Sequence, residues 1–108
     1  MLEQLFGNKV IEKILFYLLT YENGYIRGIA SAFGMPVNRI NQQLKRLEDG
    51  GIIVSQNKGK IRLYTFNTRY PFLPELKQLL QKAMDVLPEA EIERYYRQRT
   101  RPRRKGKP

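Results

Sequence analysis

A mainly helical domain carrying one small β-hairpin, of the α+β class, is what this chain predicts, and three observations carry the prediction. Apolar residues recur at spacings of three and four in four separate stretches, the period of a helix with one buried face. Two short β-rich runs flank the polar link Asn57-Lys58-Gly59-Lys60, the pattern of a hairpin. A length of 108 residues with 42% hydrophobic content gives room for one domain around one core. The folded domain is expected over residues 1–87, its last helix serving the core or dimerisation, with 88–108 as a basic, disordered tail.

Asn8 precedes Val10, Ile11, Ile14, Leu15, Leu18 and Leu19, a capping residue followed by a helical apolar stripe. Glu22-Asn23-Gly24 ends this first helix. A short second helix follows over 25–33, with Ile26, Ile29, Ala30 and Phe33 on one side and Gly34 as its stop. Residues 35–49, MPVNRINQQLKRLED, form a third helix in which Pro36 sits where a first-turn proline costs no hydrogen bond. Ile40, Leu44 and Leu47 make one stripe of it; Asn38, Gln42, Lys45 and Arg46 fall on the opposite side, with Arg39 and Asn41 on the flanks. A short helix, a glycine, a tight break and a longer amphipathic helix is the helix-turn-helix arrangement.

Gly50-Gly51 ends the long helix, and the hairpin runs through 52–56 and 61–67. Its tip carries Lys58 and Lys60 with Arg62 close behind, and no acid lies between Asp49 and Glu75. Residues 74–87 form a further helix with Leu76, Leu79, Leu80, Ala83 and Leu87 as its stripe. Pro88 breaks it, and 89–97 add a turn or two before the tail. The first helix also carries Phe16, Tyr17 and Tyr21 away from its main stripe. A domain this small is not expected to bury both sides, so a homodimer is expected.

The formal net charge is +10, from 20 basic and 10 acidic residues, and most of it is at one end. Residues 94–108 hold eight cations and no acid. Arg97, Arg99, Arg101, Arg103, Arg104, Lys105 and Lys107 form a tail that suits a polyanion. Asn, Gln and Arg can present paired donors and acceptors to base edges, while Lys and Arg neutralise phosphate. The outward face of the third helix therefore reads as a groove-reading surface, and the Lys58/Lys60 tip as a wing along the backbone.

Residues 6–80 resemble a winged helix-turn-helix of the class that includes the arsenical-repressor-type and multiple-antibiotic-resistance-type regulators. The resemblance is carried by NRINQQLKRLEDGGIIV followed by KGKIRLYTFN: a long helix, a glycine exit into a hydrophobic run, and a charged hairpin ending in Tyr-x-hydrophobic-Asn. A second segment, TRYPFLPEL, is similar to the lead-in to the last helix of single-domain winged-helix proteins associated with small nucleotidyltransferases. The resemblance implies that Asn38, Arg39, Asn41, Gln42, Lys45 and Arg46 occupy recognition-helix positions and Lys58, Lys60 and Arg62 wing positions.

The chain has no Cys and no His, which removes thiol nucleophiles, imidazole acid–base chemistry and the commonest transition-metal ligands. No Gly-rich phosphate loop is present, and the carboxylates, Glu12 among them, fall at polar helix positions that suit solvated or capping charges. No catalytic residue, metal or cofactor is expected, nor a signal peptide or membrane span. The expectation is a cytoplasmic, dimeric transcriptional regulator that binds double-stranded DNA sequence-specifically. Two other readings use the same residues: a winged-helix platform for a protein partner such as a nucleotidyltransferase, and a non-specific nucleic-acid binder driven by the tail.

Overall fold

The computed structural model describes residues 1–97; Arg99, Arg101, Arg103, Arg104, Lys105 and Lys107 lie outside the described residues. The element order is α1 (Glu3–Phe6), α2 (Lys9–Tyr21), α3 (Ile26–Phe33), α4 (Val37–Asp49), β1 (Ile53–Lys58), β2 (Ile61–Phe66), α5 (Leu73–Asp85) and α6 (Glu89–Tyr95). This is a winged helix-turn-helix with helices added at both ends.

The capping at α2 is as the sequence implies: Asn8 Oδ1 accepts from the Val10 and Ile11 amides at 2.7 and 3.2 Å. Ile14, Leu15, Phe16 and Leu18 are fully buried, and α2 packs against α1, α4 and α5, which makes it the central element. From α4 come Ile40, Leu44 and Leu47, from α3 Ile29, Ala30 and Phe33, and from the hairpin Ile53, Tyr64 and Phe66. Pro36 is the N-cap of α4 rather than a first-turn residue, so the helix begins two residues later than its apolar pattern suggests.

The hairpin is antiparallel, in a register that sets Ile53 opposite Phe66 and Lys58 opposite Ile61. Only Gly59 and Lys60 form the turn, so the strands run further into the polar link than expected. Backbone and amide hydrogen bonds fix the wing to the body at its base and on its flank. At its base, Asn67 Nδ2 donates to the Gly51 carbonyl at 2.8 Å and the Asn67 amide to Ile52 O at 2.9 Å. On its flank, Gly24 in the α2–α3 loop exchanges backbone hydrogen bonds with Tyr64, at 2.8 and 3.1 Å. Position 24 has no room for a side chain, since a Cβ there would meet Tyr17 Cε1 at 2.9 Å.

Three expectations are corrected. The domain does not stop at 87: α6 follows Pro88, and Tyr96 just past its end is a core residue, 3% exposed. Its ring stands edge-on to Phe16 at 5.5 Å, while Tyr95 packs on Phe33 at 5.1 Å. The second face of α2 is therefore covered from within the chain. Tyr17 and Tyr21 pack on each other at 4.6 Å, and the Tyr21 hydroxyl donates to the carbonyls of Tyr95 and Arg97 at 2.8 and 3.1 Å. The need to hide Phe16, Tyr17 and Tyr21 thus gives no argument for a dimer. Second, Leu79 does not share the inward stripe of the last long helix: it is 37% exposed, whereas Leu80 beside it is wholly buried. Third, Glu12 is not a solvated charge. It is 6% exposed, and its Oε1 accepts from the Leu2 amide at 2.6 Å, which compensates the lost hydration.

Candidate nucleic-acid interface

The local chemistry of α4 decides its orientation. Three aliphatic side chains at helical spacing are locked into the core, and the polar residues between them are left facing out. Asn38, Arg39, Asn41, Gln42, Lys45 and Arg46 are all exposed. No side-chain hydrogen bond or ion pair ties any of the six to another described residue. The helix thus presents two amide-rich turns and three cations whose donors and acceptors are unused, a surface able to meet base edges and phosphates without first breaking an internal contact.

The three expected wing cations divide. Lys58 and Lys60 are exposed at the tip without an ion-pair partner among the described residues. Arg62 is tied inward instead. Its Nε donates to Ser55 Oγ at 2.8 Å, the Ser55 hydroxyl donates to Glu48 Oε2 at 2.7 Å, and Arg62 Nη2 lies 3.9 Å from the same carboxylate oxygen. Residues of α4, β1 and β2 meet in this chain, so Arg62 acts as a strut between α4 and the wing. Strand alternation explains it: Arg62 is two residues before the buried Tyr64 and four before the buried Phe66, so it lies on the inward face, just beyond the core.

Arg97, counted with the tail by its charge, belongs to the end of α6. Its Nη1 donates to Glu93 Oε1 at 3.3 Å and its carbonyl receives the Tyr21 hydroxyl. At more than half exposure for both partners, that ion pair contributes little to stability.

Reading by motif alone misses Arg27 and Tyr25 at the start of α3. Both are exposed, and both line a cleft against the wing with Lys60 and Arg62. The signal that could have found Arg27 is the absence of acids. Residues 23–74 contain eight basic residues and only two acids, Glu48 and Asp49, and Glu48 is the one engaged by Ser55 and Arg62. The remaining described segments, 1–22 and 75–97, each carry one more acid than base. Positive charge is therefore concentrated on α3, α4, the wing and their loops. Among the described residues no group of three metal-ligating side chains comes together, and no helix is long and apolar enough to cross a membrane.

No protein-family model and no curated protein sequence matches the chain. Solved structures do. One is the homodimeric winged helix-turn-helix DNA-binding domain of a possible ArsR-family transcriptional regulator from Mycobacterium bovis, at 21% identity and a TM-score of 0.58, covering 82% of this chain and 80% of that one. The YusO protein of Bacillus subtilis aligns at 17% identity and a TM-score of 0.61, covering 86% and 74%. AbsC, a MarR family transcriptional regulator from Streptomyces coelicolor, aligns at 13% identity and 0.54, covering 84% and 70%. The chain shares the winged helix-turn-helix fold with these structures.

Proposed function

We propose that this protein binds double-stranded DNA sequence-specifically as a homodimer and regulates transcription by occupying its site. The observation that carries the reading is the divided surface of α4: an inner stripe fixed by Ile40, Leu44 and Leu47, and an outer face of six amide and cationic side chains with no side-chain partner among the described residues. Lys58 and Lys60 hold phosphates beside it. The fold it shares with a homodimeric DNA-binding domain supports this reading.

The test is selection of genomic DNA fragments by the purified protein at fixed salt. A short inverted-repeat consensus is the expected outcome, since a two-fold dimer matches two half-sites. A flat profile with bulk binding retained would refute specific recognition and leave a non-specific binder. On the selected sequence, Asn38→Ala or Gln42→Ala is expected to cost about 1–3 kcal/mol while leaving mixed-sequence DNA nearly unaffected. Lys58→Ala should weaken all duplexes alike and lower the log-log salt slope by about 0.9. Identical behaviour of the two kinds of variant would remove the assigned roles.

The dimer surface we assign is the outer stripe of α5. Phe72, Leu79 and Val86 are exposed and stand seven residues apart. An antiparallel two-fold contact centred on Leu79 sets Phe72 of each copy over Val86 of the other and brings Glu75 near Lys82. Leu79→Asp is therefore expected to give monomers in light scattering with helical content retained. Leu80→Asp should unfold the protein instead, because that side chain is core. Wild-type protein that scatters as a monomer at the concentrations used for DNA binding would remove the dimer from the proposal.

A further inference from the structure

One cleft away from the recognition helix concentrates charge. It has a volume of about 240 Å3, lies between the start of α3 and the wing, and is lined by Tyr25, Ile26, Arg27, Lys60, Ile61 and Arg62. Three of the six are cations and none is an acid. No carboxylate among the described residues is within ion-pair distance of Arg27 or Lys60.

Contacts outside the cleft hold its walls in place. The paired backbones of Gly24 and Tyr64 fix the start of α3 to β2, at 2.8 and 3.1 Å. Arg62 is gripped from behind by Ser55 and Glu48, so its position does not depend on an occupant. Tyr25 lies against Gly28, where a Cβ would come within 3.0 Å of its Cε1 and 3.1 Å of its Cζ. The missing side chain at position 28 is what lets the Tyr25 ring settle beside the cations. Preorganised donors and unpaired cations, on two elements that cannot drift apart, suit one compact anion with several acceptor oxygens.

We infer that this cleft is a phosphate seat, in which Arg27 and Lys60 neutralise one phosphate group, Arg62 donates to it and Tyr25 offers it a hydroxyl. Ser55 is a positioning residue for the seat, acting only through Arg62. The inference rests on the nucleic-acid reading for its natural occupant, a phosphodiester of a duplex backbone, and adds to the recognition helix a second hold on the DNA at the junction of α3 and wing. A free phosphate shares the chemistry, and two arms of one experiment separate the sources.

In the first arm the full-length protein is titrated with a mixed-sequence duplex at several salt concentrations, so that no consensus is needed. Arg27→Ala is expected to lower the log-log salt slope by about 0.9, or about eightfold in affinity at 0.1 M salt, and Arg27→Lys to restore most of the slope. Ser55→Ala removes no charge, so it should weaken binding a few-fold with the slope unchanged. In the second arm inorganic pyrophosphate is added without DNA, and the backbone amide signals of residues 25–28 and 60–62 are followed by NMR; they should shift in the wild-type protein and not in Arg27→Ala. Pyrophosphate shifts combined with an unaltered duplex slope would keep the seat and assign it to a free phosphate. An unaltered slope and no shifts would overturn it. If the wild-type protein bound no duplex, the proposed function would fall, and the pyrophosphate arm alone would decide the seat.

Discussion

Tyr96→Ala is expected to lower the unfolding free energy by about 3–5 kcal/mol, the cost of deleting a large buried aromatic side chain. With total stabilities of about 5–15 kcal/mol for domains of this kind, that is enough to leave the protein partly unfolded on mild warming. Tyr96 stands edge-on to Phe16 and packs obliquely on Phe33 and Tyr95, so its removal leaves a cavity against α2 and α3. Tyr96→Phe should behave in the opposite way. The hydroxyl is buried without a hydrogen-bond partner among the described residues, so losing it should leave stability unchanged or raise it by about 1 kcal/mol. The same hydroxyl gives the alkaline response its sign. Burial raises the phenol of Tyr96 far above its ordinary value of 10.0, with the nearby carboxylates of Glu91 and Glu12 adding to the shift. Burial also raises those of Tyr17 and Tyr64. A folded value above the unfolded one means that the contribution is fully present below pH 10 and is lost as pH climbs beyond it. Urea melts across that range should show a smaller alkaline loss for Tyr96→Phe than for wild type. A Tyr96→Ala protein that melted with wild type would make α6 peripheral.

Deleting residues 98–108 is expected to change DNA binding more than any single substitution. The segment holds six cations and no acid, whereas Arg97 stays behind with α6. Each cation that touches phosphate adds about 0.9 to the log-log salt slope. If half of the six do so, the slope falls by about 2.7, and affinity for any duplex falls roughly 500-fold at 0.1 M salt. The selected sequence should not change, because phosphates carry no base identity. Titration of full-length and shortened protein against one duplex at several salt concentrations measures this. Superimposable lines would give the segment no part in DNA binding.

Where the sequence was legible, one physical signal dominated. In α4 the aliphatic triplet at helical spacing, the glycine exit and the proline lead-in all favour the same helix, and each outer residue then follows from geometry. The hairpin was legible for the same reason, with a Gly-containing polar link between β-rich runs. What was missed depended on contacts between distant segments. α1 is four residues long, too short for any period to show. α6 is mostly charged, and its value lies in the Tyr95–Tyr96 pair, which looks like the beginning of a basic tail until Phe16 and Phe33 are seen waiting for it. Glu12 occupies a polar position by the wheel of α2, and the segment around Leu2 folds back so that its amide donates to the buried carboxylate. Arg62 looks like a wing cation because the wing is basic, but its inward direction was implied by the alternation with Tyr64 and Phe66, and its partners Ser55 and Glu48 come from elements that only the fold brings beside it.

Within residues 1–97 the uneven distribution of charge makes the domain an electric dipole. The α3, α4 and wing segment carries an excess of six positive charges, while the flanking segments 1–22 and 75–97 are each slightly negative. In the field of a polyanion such a body experiences a torque as well as an attraction, and it turns its basic side forward before contact. The reach of that torque is set by the ionic atmosphere: about 10 Å at 0.1 M salt, and about 30 Å at 0.01 M. The second distance matches the 29 Å shortest dimension of the molecule. In dilute salt the domain should therefore rotate into its docking orientation while still a full molecular thickness from the duplex, so that a larger share of collisions is productive and association gains speed beyond what net charge alone supplies.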